Sequence, residues 1–290
     1  MTPRDDSGRR PVGPGATLDV GAATKGCGMP ELPDVEGFRE VLASCGQGRR
    51  ITRVEVHDAG VLHGVSAERL RRRLEGRRFT EPGRHGKWLL ARTDGPTVLM
   101  HFGMTGQLLC CREGDERHPH DRVVFALGRD QLRFRDQRKL QGIWLADDPD
   151  ADVARALGDQ GPDAMSLDRA AFDELLSGRR SRVKSALTDQ SLIAGLGNLL
   201  ADEILWRARL HPARRTDELT DEERRRLHTE MRRTLRSSVR AGRVPPRNSW
   251  LTGRRDDPDP ACPRCDGPLS RRRVGGRGTV WCPRCQPDGS

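Results

Sequence analysis

Four cysteines near the C-terminal end constrain the fold of this chain more than any other feature. They form two C-x2-C pairs separated by 16 residues, and they are Cys262, Cys265, Cys282 and Cys285. Two such knuckles on either side of a hairpin pattern can supply four thiolates to one tetrahedral Zn(II) ion. A segment this small has too little core to fold alone, so a structural metal is physically expected. The spacing therefore predicts one structural Zn(II) ion in a ribbon over residues 261–286.

The charge balance indicates a polyanionic partner. The 290-residue chain has 52 Lys and Arg against 42 Asp and Glu, a formal net charge of +10. Nucleic acid is favoured over membrane, because no stretch approaches the roughly 18–20 apolar residues of a spanning helix. Much of this excess positive charge lies in the predicted ribbon, which has six Arg and one acidic residue, Asp266. This favours DNA contact by the ribbon, and a merely solvated, charged hairpin is the alternative.

The remaining four cysteines show no paired framework. They are Cys27, Cys45, Cys110 and Cys111. Together with the C-x2-C pairs, this usage predicts a metal site in a reducing compartment and no disulfides. Residues 1–28 contain no apolar region of the secretory type and no periodicity, so they are predicted to be a disordered extension.

The pattern after residue 28 predicts a β-rich domain over residues 29–148. Helical spacing of apolar residues predicts a helix over 33–46, and a second, short helix is predicted over 66–74. Short apolar runs bounded by Gly, Pro and Asp predict strands at 51–57, 87–92, 97–102, 122–127 and 131–136. Several short strands in about 100 residues indicate a β-sandwich or barrel.

Residues 149–242 have a helical pattern. Thr220 and Glu223 predict a capping box, followed by apolar residues at helical spacing. Residues 192–212 predict a helix, a tight turn containing Gly195 and Gly197, and a further helix that opens at Asn198. Such a helix start can offer unpaired N–H groups to a phosphate, although an ordinary helix–helix corner is the alternative. Residues 243–260, rich in Pro, Arg and Asp, are interpreted as a linker.

Three motifs in this order carry a family resemblance: MPELPDVE at 29–36, the Gly/Asn corner at 195–198 and the four-cysteine ribbon. Together they resemble the bacterial formamidopyrimidine-DNA glycosylase/endonuclease VIII family of base-excision repair enzymes. The resemblance implies an α+β multidomain fold: an N-terminal β-sandwich with flanking helices, a helix–two-turn–helix domain and the zinc ribbon. It implies a bifunctional DNA glycosylase/AP lyase that binds damaged or abasic double-stranded DNA. We expect a cytoplasmic, nucleoid-associated monomer.

The resemblance also implies the catalytic residues. Pro30 matches the nucleophile, whose secondary amine attacks C1′ of the deoxyribose and forms an iminium adduct. Glu31 matches the acid/base, and Lys87 matches a lysine that contacts the phosphate flanking the lesion. An α-amino group has a pKa of about 8, whereas the nitrogen of an internal Pro30 is an amide without a basic lone pair. We therefore expect translation to start at Met29, followed by removal of that methionine.

The implied DNA-binding residues lie in all three parts of the chain. A wedge that fills the gap left by a flipped nucleotide is implied for Met104, Arg138 and Leu140. Phosphate or pocket contacts are implied for the following residues: Lys184, Asn198, Glu203 and Arg277. The chain departs from the family pattern at Leu140, where Phe is common, and at Gln141, where Gly is common.

Two other functions are compatible with parts of the sequence. One is a non-catalytic protein of the same fold that binds damaged or abasic DNA, with its amine blocked by residues 1–28. The other is a zinc-ribbon regulator, which leaves the opening motif and the wedge unexplained. Within the glycosylase interpretation, only 19 residues separate Gly242 from Cys262, too few to form a long lid over a flipped purine. We therefore expect oxidised pyrimidines or formamidopyrimidines to be excised faster than 8-oxoguanine.

Overall fold

A computed structural model describes residues 29–148 and 150–288, and the extension predicted over 1–28 lies outside these ranges. The first helix, α1 (Leu32–Gly46), begins at Glu31, where a reciprocal capping box closes its first turn. The second helix, α2 (Ala67–Leu74), begins at Ser66, whose hydroxyl accepts a hydrogen bond from the Arg69 N–H at 3.1 Å. Both helices confirm the prediction. No described helix is long and apolar enough to span a membrane.

Two four-stranded antiparallel sheets follow α1 and form a sandwich. The strands are β1 (Arg53–Val56), β2 (Gly83–His85), β3 (Trp88–Ala91), β4 (Thr97–His101), β5 (Gln107–Arg112), β6 (Asp121–Ala126), β7 (Asp130–Arg135) and β8 (Ile143–Ala146). One sheet has the order β1-β6-β7-β5 and the other β2-β3-β4-β8. Fully buried side chains from both sheets and from α1 share one core, among them Leu42, Leu89, Met100, Phe125 and Phe134.

The five predicted strands correspond to β1, β3, β4, β6 and β7, and the sandwich is confirmed. Three other strands were not predicted. Strand β2 is three residues long and contains no apolar residue, while β5 and β8 lack polar–apolar alternation that is clear enough to detect. These strands form because their neighbours offer backbone partners, which local sequence does not report.

One disulfide joins the end of α1 to the edge strand β5. Cys45 and Cys110 are bonded, so the prediction that the chain has no disulfide is wrong for this pair. The two residues are 65 positions apart, and only the packing of α1 against the sheet brings them together. Cys111, which follows Cys110 on the same strand, is a free thiol.

Five helices form the second part of the described chain, as predicted. They are α3 (Ala151–Leu157), α4 (Arg169–Leu176), α5 (Val183–Thr188), α6 (Asn198–Ala208) and α7 (Asp221–Arg240). The Thr220–Glu223 capping box is present at the start of α7, and the predicted apolar stripe packs into the helical core. Helix α6 is buried on almost every side, so it forms the centre of this part.

The ribbon is a hairpin of β9 (Ser270–Val274) and β10 (Arg277–Trp281). Residues 243–260, interpreted from sequence as a linker, include a short helix, α8 (Leu251–Arg254), and pack tightly. Trp250 is 5% exposed, and the Arg207 guanidinium lies 4.3 Å from the centroid of its indole ring. Leu251 is fully buried against the ribbon. The segment is therefore held against α6 and the ribbon around residues 250–255, whereas residues 246–249 are exposed.

Candidate active site

Glu31 is held at the start of helix α6. Its carboxylate accepts hydrogen bonds from the backbone N–H groups of Gly197 (3.0 Å), Leu199 (2.7 Å) and Leu200 (3.1 Å). A side chain at Gly197 would place its Cβ 2.2 Å from the Glu31 carboxyl carbon, which explains why glycine is needed here. Of the two alternatives for this corner, N–H groups left open for a phosphate is therefore the wrong one, because an internal carboxylate occupies the positive end of the helix.

Two buried ionisable groups face each other beside Pro30. Glu31 is 2% exposed, and burial raises the pKa of its carboxyl against the opposing effects of the Lys87 charge and the three N–H groups. Lys87 is 8% exposed, and burial lowers the pKa of its amine, partly offset by the charge of Glu31. Both shifts bring proton transfer closer to neutral pH than in the free side chains.

Asp34 is a second carboxyl in this site, and sequence reasoning assigned it only to the first turn of α1. Its Oδ2 accepts the Glu31 N–H at 2.9 Å. Burial, together with the charge of Glu31, raises the pKa of Asp34 to about 6. The signal that could have revealed it is the spacing of Glu31 and Asp34, which is that of a capping box.

The hairpin between β2 and β3 places Lys87 against the helical corner. Gly86 adopts a left-handed φ of +54°, and a Cβ there would lie 2.8 Å from the Ala194 side chain. Its N–H donates to Asp163 at 2.7 Å, and Asp163 also receives two hydrogen bonds from Arg84. Arg84 is nearly buried and also bonds Glu36 at 2.8 Å. Arg84 and Asp163 were not singled out from sequence, since each occurs in a polar run without a motif.

The three residues expected to form a wedge lie together at one end of the sandwich. Arg138 Nη1 is 2.9 Å from the Met104 sulfur. A Cβ built on Gly103 would lie 3.6 Å from the Leu140 Cβ, so the loop of Leu140 packs on the turn before Met104. Leu140 is 51% exposed, and only Met29 is another large apolar residue with comparable exposure among the described residues. An apolar side chain held outside the core is available to a partner.

Lys184 does not lie where the resemblance implied. Its side chain is fully buried, and its Nζ contacts Asp202 Oδ1 (2.6 Å), Thr279 Oγ1 (2.7 Å) and the Gly278 carbonyl (3.0 Å). An ammonium enclosed in this way cannot reach a bound strand, so the expected DNA contact is wrong. Lys184 instead connects helices α5 and α6 to strand β10 of the ribbon.

Glu203 is also fully buried, so its carboxylate is not exposed to a pocket as the resemblance implied. Its carboxylate bonds Arg207 Nε at 2.7 Å and the Thr252 backbone N–H at 3.1 Å. Burial raises the pKa of Glu203, while Arg207 and Thr252 counteract that rise. The residue therefore fastens α8 to α6.

Asn198 and Arg277 differ in exposure. Asn198 begins α6 and is half-buried, and its Oδ1 is buried without a hydrogen-bond partner within the described ranges. Arg277 begins β10, is exposed and donates weakly to the Thr188 carbonyl at 3.4 Å. Its positive charge lowers the pKa of Lys87, so the ribbon brings a cation close to the amine of the other domain.

The four cysteine sulfurs are arranged as a zinc site requires. All four lie within 4.8 Å of one another, and the pairs Cys265–Cys282 and Cys262–Cys285 are 3.5 and 3.8 Å apart. A tetrahedron with Zn–S bonds of about 2.3 Å has sulfur–sulfur edges of about 3.8 Å. The indole N–H of Trp206 donates to Cys262 at 3.3 Å, as expected around a metal-bound thiolate. The donor set fits one structural zinc ion, as predicted.

Comparison with known proteins identifies three consecutive family regions. Residues 29–143 match the formamidopyrimidine-DNA glycosylase N-terminal domain, residues 159–247 match the H2TH domain of the same enzymes, and residues 260–287 match the zinc finger found in FPG and IleRS. A formamidopyrimidine-DNA glycosylase from Symbiobacterium thermophilum is 38% identical, and the alignment covers 89% of this chain and 90% of the relative.

This chain belongs to the formamidopyrimidine-DNA glycosylase family. A Bacillus subtilis member is 33% identical over 89% of this chain and 99% of its own length. Among solved structures, the fold is similar to that of Lactococcus lactis Fpg in complex with DNA containing an abasic site (TM-score 0.81, 26% identity) and with DNA containing Fapy-dG (TM-score 0.81, 27% identity). Each of these alignments covers 89% of this chain and 100% of the Lactococcus protein. The α+β fold and the family predicted from sequence are confirmed.

Proposed function

We propose that this protein is a bifunctional DNA glycosylase/AP lyase of base-excision repair that acts through Pro30. The single observation that carries the proposal is the buried Glu31 carboxyl, which lies next to Pro30 on the start of α6 and faces Lys87. This arrangement provides a proton donor beside the nucleophile in a place from which water is largely excluded.

The reaction follows from these groups. When Pro30 is N-terminal, its nitrogen lone pair attacks C1′ of the damaged nucleotide, the bond from C1′ to the base breaks, and the base leaves with the proton that the secondary amine loses. Glu31 in its protonated form, which its raised pKa favours, donates a proton to the ring oxygen, so that the bond from C1′ to that oxygen breaks, the sugar ring opens and an iminium remains. The Glu31 carboxylate then takes a C2′ proton, the 3′ phosphate is expelled, and water hydrolyses the iminium to release the proline.

We assign the DNA contacts to residues at the meeting of the two domains, of which Arg277 is exposed, Asn198 is half-buried and Lys87 is 8% exposed. Lys87, Asn198 and Arg277 lie where cations and amides from both domains converge, which suits the phosphates around a lesion. Met104, Arg138 and Leu140 would enter the duplex and offset part of the cost of unstacking. We further propose that the protein acts as a monomer in the bacterial cytoplasm, associated with the nucleoid. The domain limits given from sequence, 29–148, 149–242 and 261–286, also remain our proposal.

We propose that oxidised pyrimidines and formamidopyrimidines are excised faster than 8-oxoguanine. Residues 243–260 would have to supply any lid over the flipped base. Trp250, Leu251 and Arg255 of this segment are buried and fixed against α6 and the ribbon. A pocket without a long lid has fewer contacts with the distinguishing edge of a purine, but it accepts a smaller ring or an opened one.

Borohydride trapping tests the proposed function directly. Borohydride reduces an iminium to a stable amine and so links protein to abasic DNA. Chain produced from Met29, with the methionine removed, is expected to form the adduct, whereas chain that retains residues 1–28 is not. Equal trapping of both forms would refute a role for the Pro30 amine. Binding of abasic DNA by both forms without trapping of either would favour the non-catalytic alternative.

A further inference from the structure

A buried carboxylate joins the two loops that carry the proposed wedge. Asp136 follows β7 and is fully buried. Its Oδ1 accepts hydrogen bonds from the Thr105 hydroxyl at 2.5 Å and from the Arg138 N–H at 3.1 Å. The Thr105 oxygen in turn accepts the Arg138 N–H at 3.0 Å. One carboxylate oxygen therefore ties the residue after Met104 to the backbone of Arg138.

A second anchor holds the middle of the same loop. Lys139 has a left-handed φ of +52°, which is unfavourable for a residue with a Cβ atom and must be held by its surroundings. Its Nζ bonds Asp58 at 2.9 Å, and Asp58 also pairs with Arg122 at 3.2 Å. Arg122 Nε donates to the Asp136 carbonyl at 2.7 Å, so the two anchors are connected. The next residue, Leu140, is thereby projected into solvent.

We propose that Asp136, acting through Thr105, is a positioning residue that keeps Met104, Arg138 and Leu140 assembled as one wedge before DNA binds. This inference rests on the proposed function, because a wedge acts only on a duplex. The physical reason is preorganisation: side chains ordered in advance lose less freedom when they enter the base stack. A hydrogen bond to a carboxylate is about twice as strong as one between neutral groups, so Asp136 is suited to hold the two loops together.

The contact between Asp136 and Thr105 should matter most for substrates whose damaged base has to be extruded from the helix. A damaged base that is still stacked must leave the helix at a cost of a few kcal/mol, whereas an abasic nucleotide has no base to unstack. Loosening the wedge should therefore slow excision of a stacked base while affecting cleavage at an abasic site much less. A change that merely destabilised the fold would slow both reactions together.

Thr105→Val removes the hydroxyl bridge and keeps the shape of the side chain. The matched control is Thr52→Val in the same domain, which removes a 3.1 Å hydrogen bond to the Ala126 carbonyl remote from the wedge. Single-turnover excision of 5-hydroxyuracil and cleavage of an abasic duplex are measured for both variants. Fluorescence of 2-aminopurine opposite the lesion reports insertion of the wedge.

For Thr105→Val, we expect excision about tenfold slower, abasic cleavage changed less than about threefold, and a smaller 2-aminopurine signal. Thr105→Ser should restore the wild-type excision rate, and Thr52→Val should match the wild type in all three measurements. Equal slowing of both reactions by Thr105→Val, or no slowing of either, would overturn the inference. Failure of the wild-type protein itself to cut either duplex would instead refute the proposed function.

Discussion

Replacement of Lys184 tests whether the buried ion pair attaches the zinc ribbon to the helical domain. The Lys184 ammonium is fully buried between Asp202 and two groups of β10, namely the Thr279 hydroxyl and the Gly278 carbonyl. Lys184→Met keeps most of the side-chain volume but leaves Asp202 without this partner. The Asp202 carboxylate is also fully buried, so water cannot replace the lost contact.

The expected loss of stability in Lys184→Met depends on the hydrogen-bond partners that Asp202 keeps. Removing one member of a buried ion pair costs about 3–5 kcal/mol. Asp202 keeps Arg255 at 2.9 Å and the Val280 N–H at 3.2 Å on its other oxygen, so we expect the lower end, about 3 kcal/mol. Asp202→Asn in the Lys184→Met background removes the uncompensated charge. The double variant should therefore regain about 1 kcal/mol or more of the lost free energy of unfolding.

Urea unfolding of the zinc-loaded protein measures these free energies, and a salt titration of duplex binding reports the position of the ribbon. Arg155→Met is the control, because the Arg155–Asp152 pair is remote from the ribbon and the wedge, is largely exposed on the arginine side, and should contribute less than about 1 kcal/mol. We expect Lys184→Met to lower both stability and duplex affinity. An unchanged unfolding midpoint, or a double variant less stable than the single one, would refute this reasoning.

Four further predictions concern the metal, the phosphates, pH and the lesion. Chelation of zinc, or Cys265→Ser, should abolish duplex binding while circular dichroism still shows a folded β-sandwich; full affinity without metal would exclude the ribbon from the DNA site. Arg277→Ala should retain zinc but lower the slope of log K against log salt by about 1, and an unchanged slope would contradict a phosphate contact. Because burial raises the pKa of Asp34 from 3.8 to about 6, stability should fall by about 3 kcal/mol as pH rises through that interval. Asp34→Asn should remove this decline in urea unfolding, and persistence of the full decline would assign it to other groups. Finally, single-turnover nicking should be faster for 5-hydroxyuracil than for 8-oxoguanine opposite cytosine, and the reverse order would contradict the proposed lesion preference.

Local patterns predicted those parts of the fold that local interactions determine. The Thr220 capping box, the short helix α2, the five predicted strands and the stripe along α7 all depend on residues within a few positions of one another. The four-cysteine spacing likewise predicted its own cluster. The Cys45–Cys110 bond joins residues 65 positions apart, and no local pattern reports such a contact.

The burial of charged residues in α6 was the main error, although a signal for it existed. Asp202 and Glu203 lie in a segment that is apolar on both sides, and a helix apolar around most of its circumference is a buried one. A buried carboxylate requires a cationic partner, which Lys184 and Arg207 provide. The start of α6 was also misinterpreted, because its N–H groups hold Glu31 from a segment 166 residues away.

Mapping the covalent bond by mass spectrometry shows which amine attacks the sugar. The chain beginning at Pro30 is reduced with borohydride on abasic DNA, digested with protease and nuclease, and the modified peptide is sequenced. We expect the sugar remnant on the nitrogen of Pro30, in the peptide that also contains Glu31. A remnant on Lys87, or on any other amine, would contradict the assignment of Pro30 as the nucleophile.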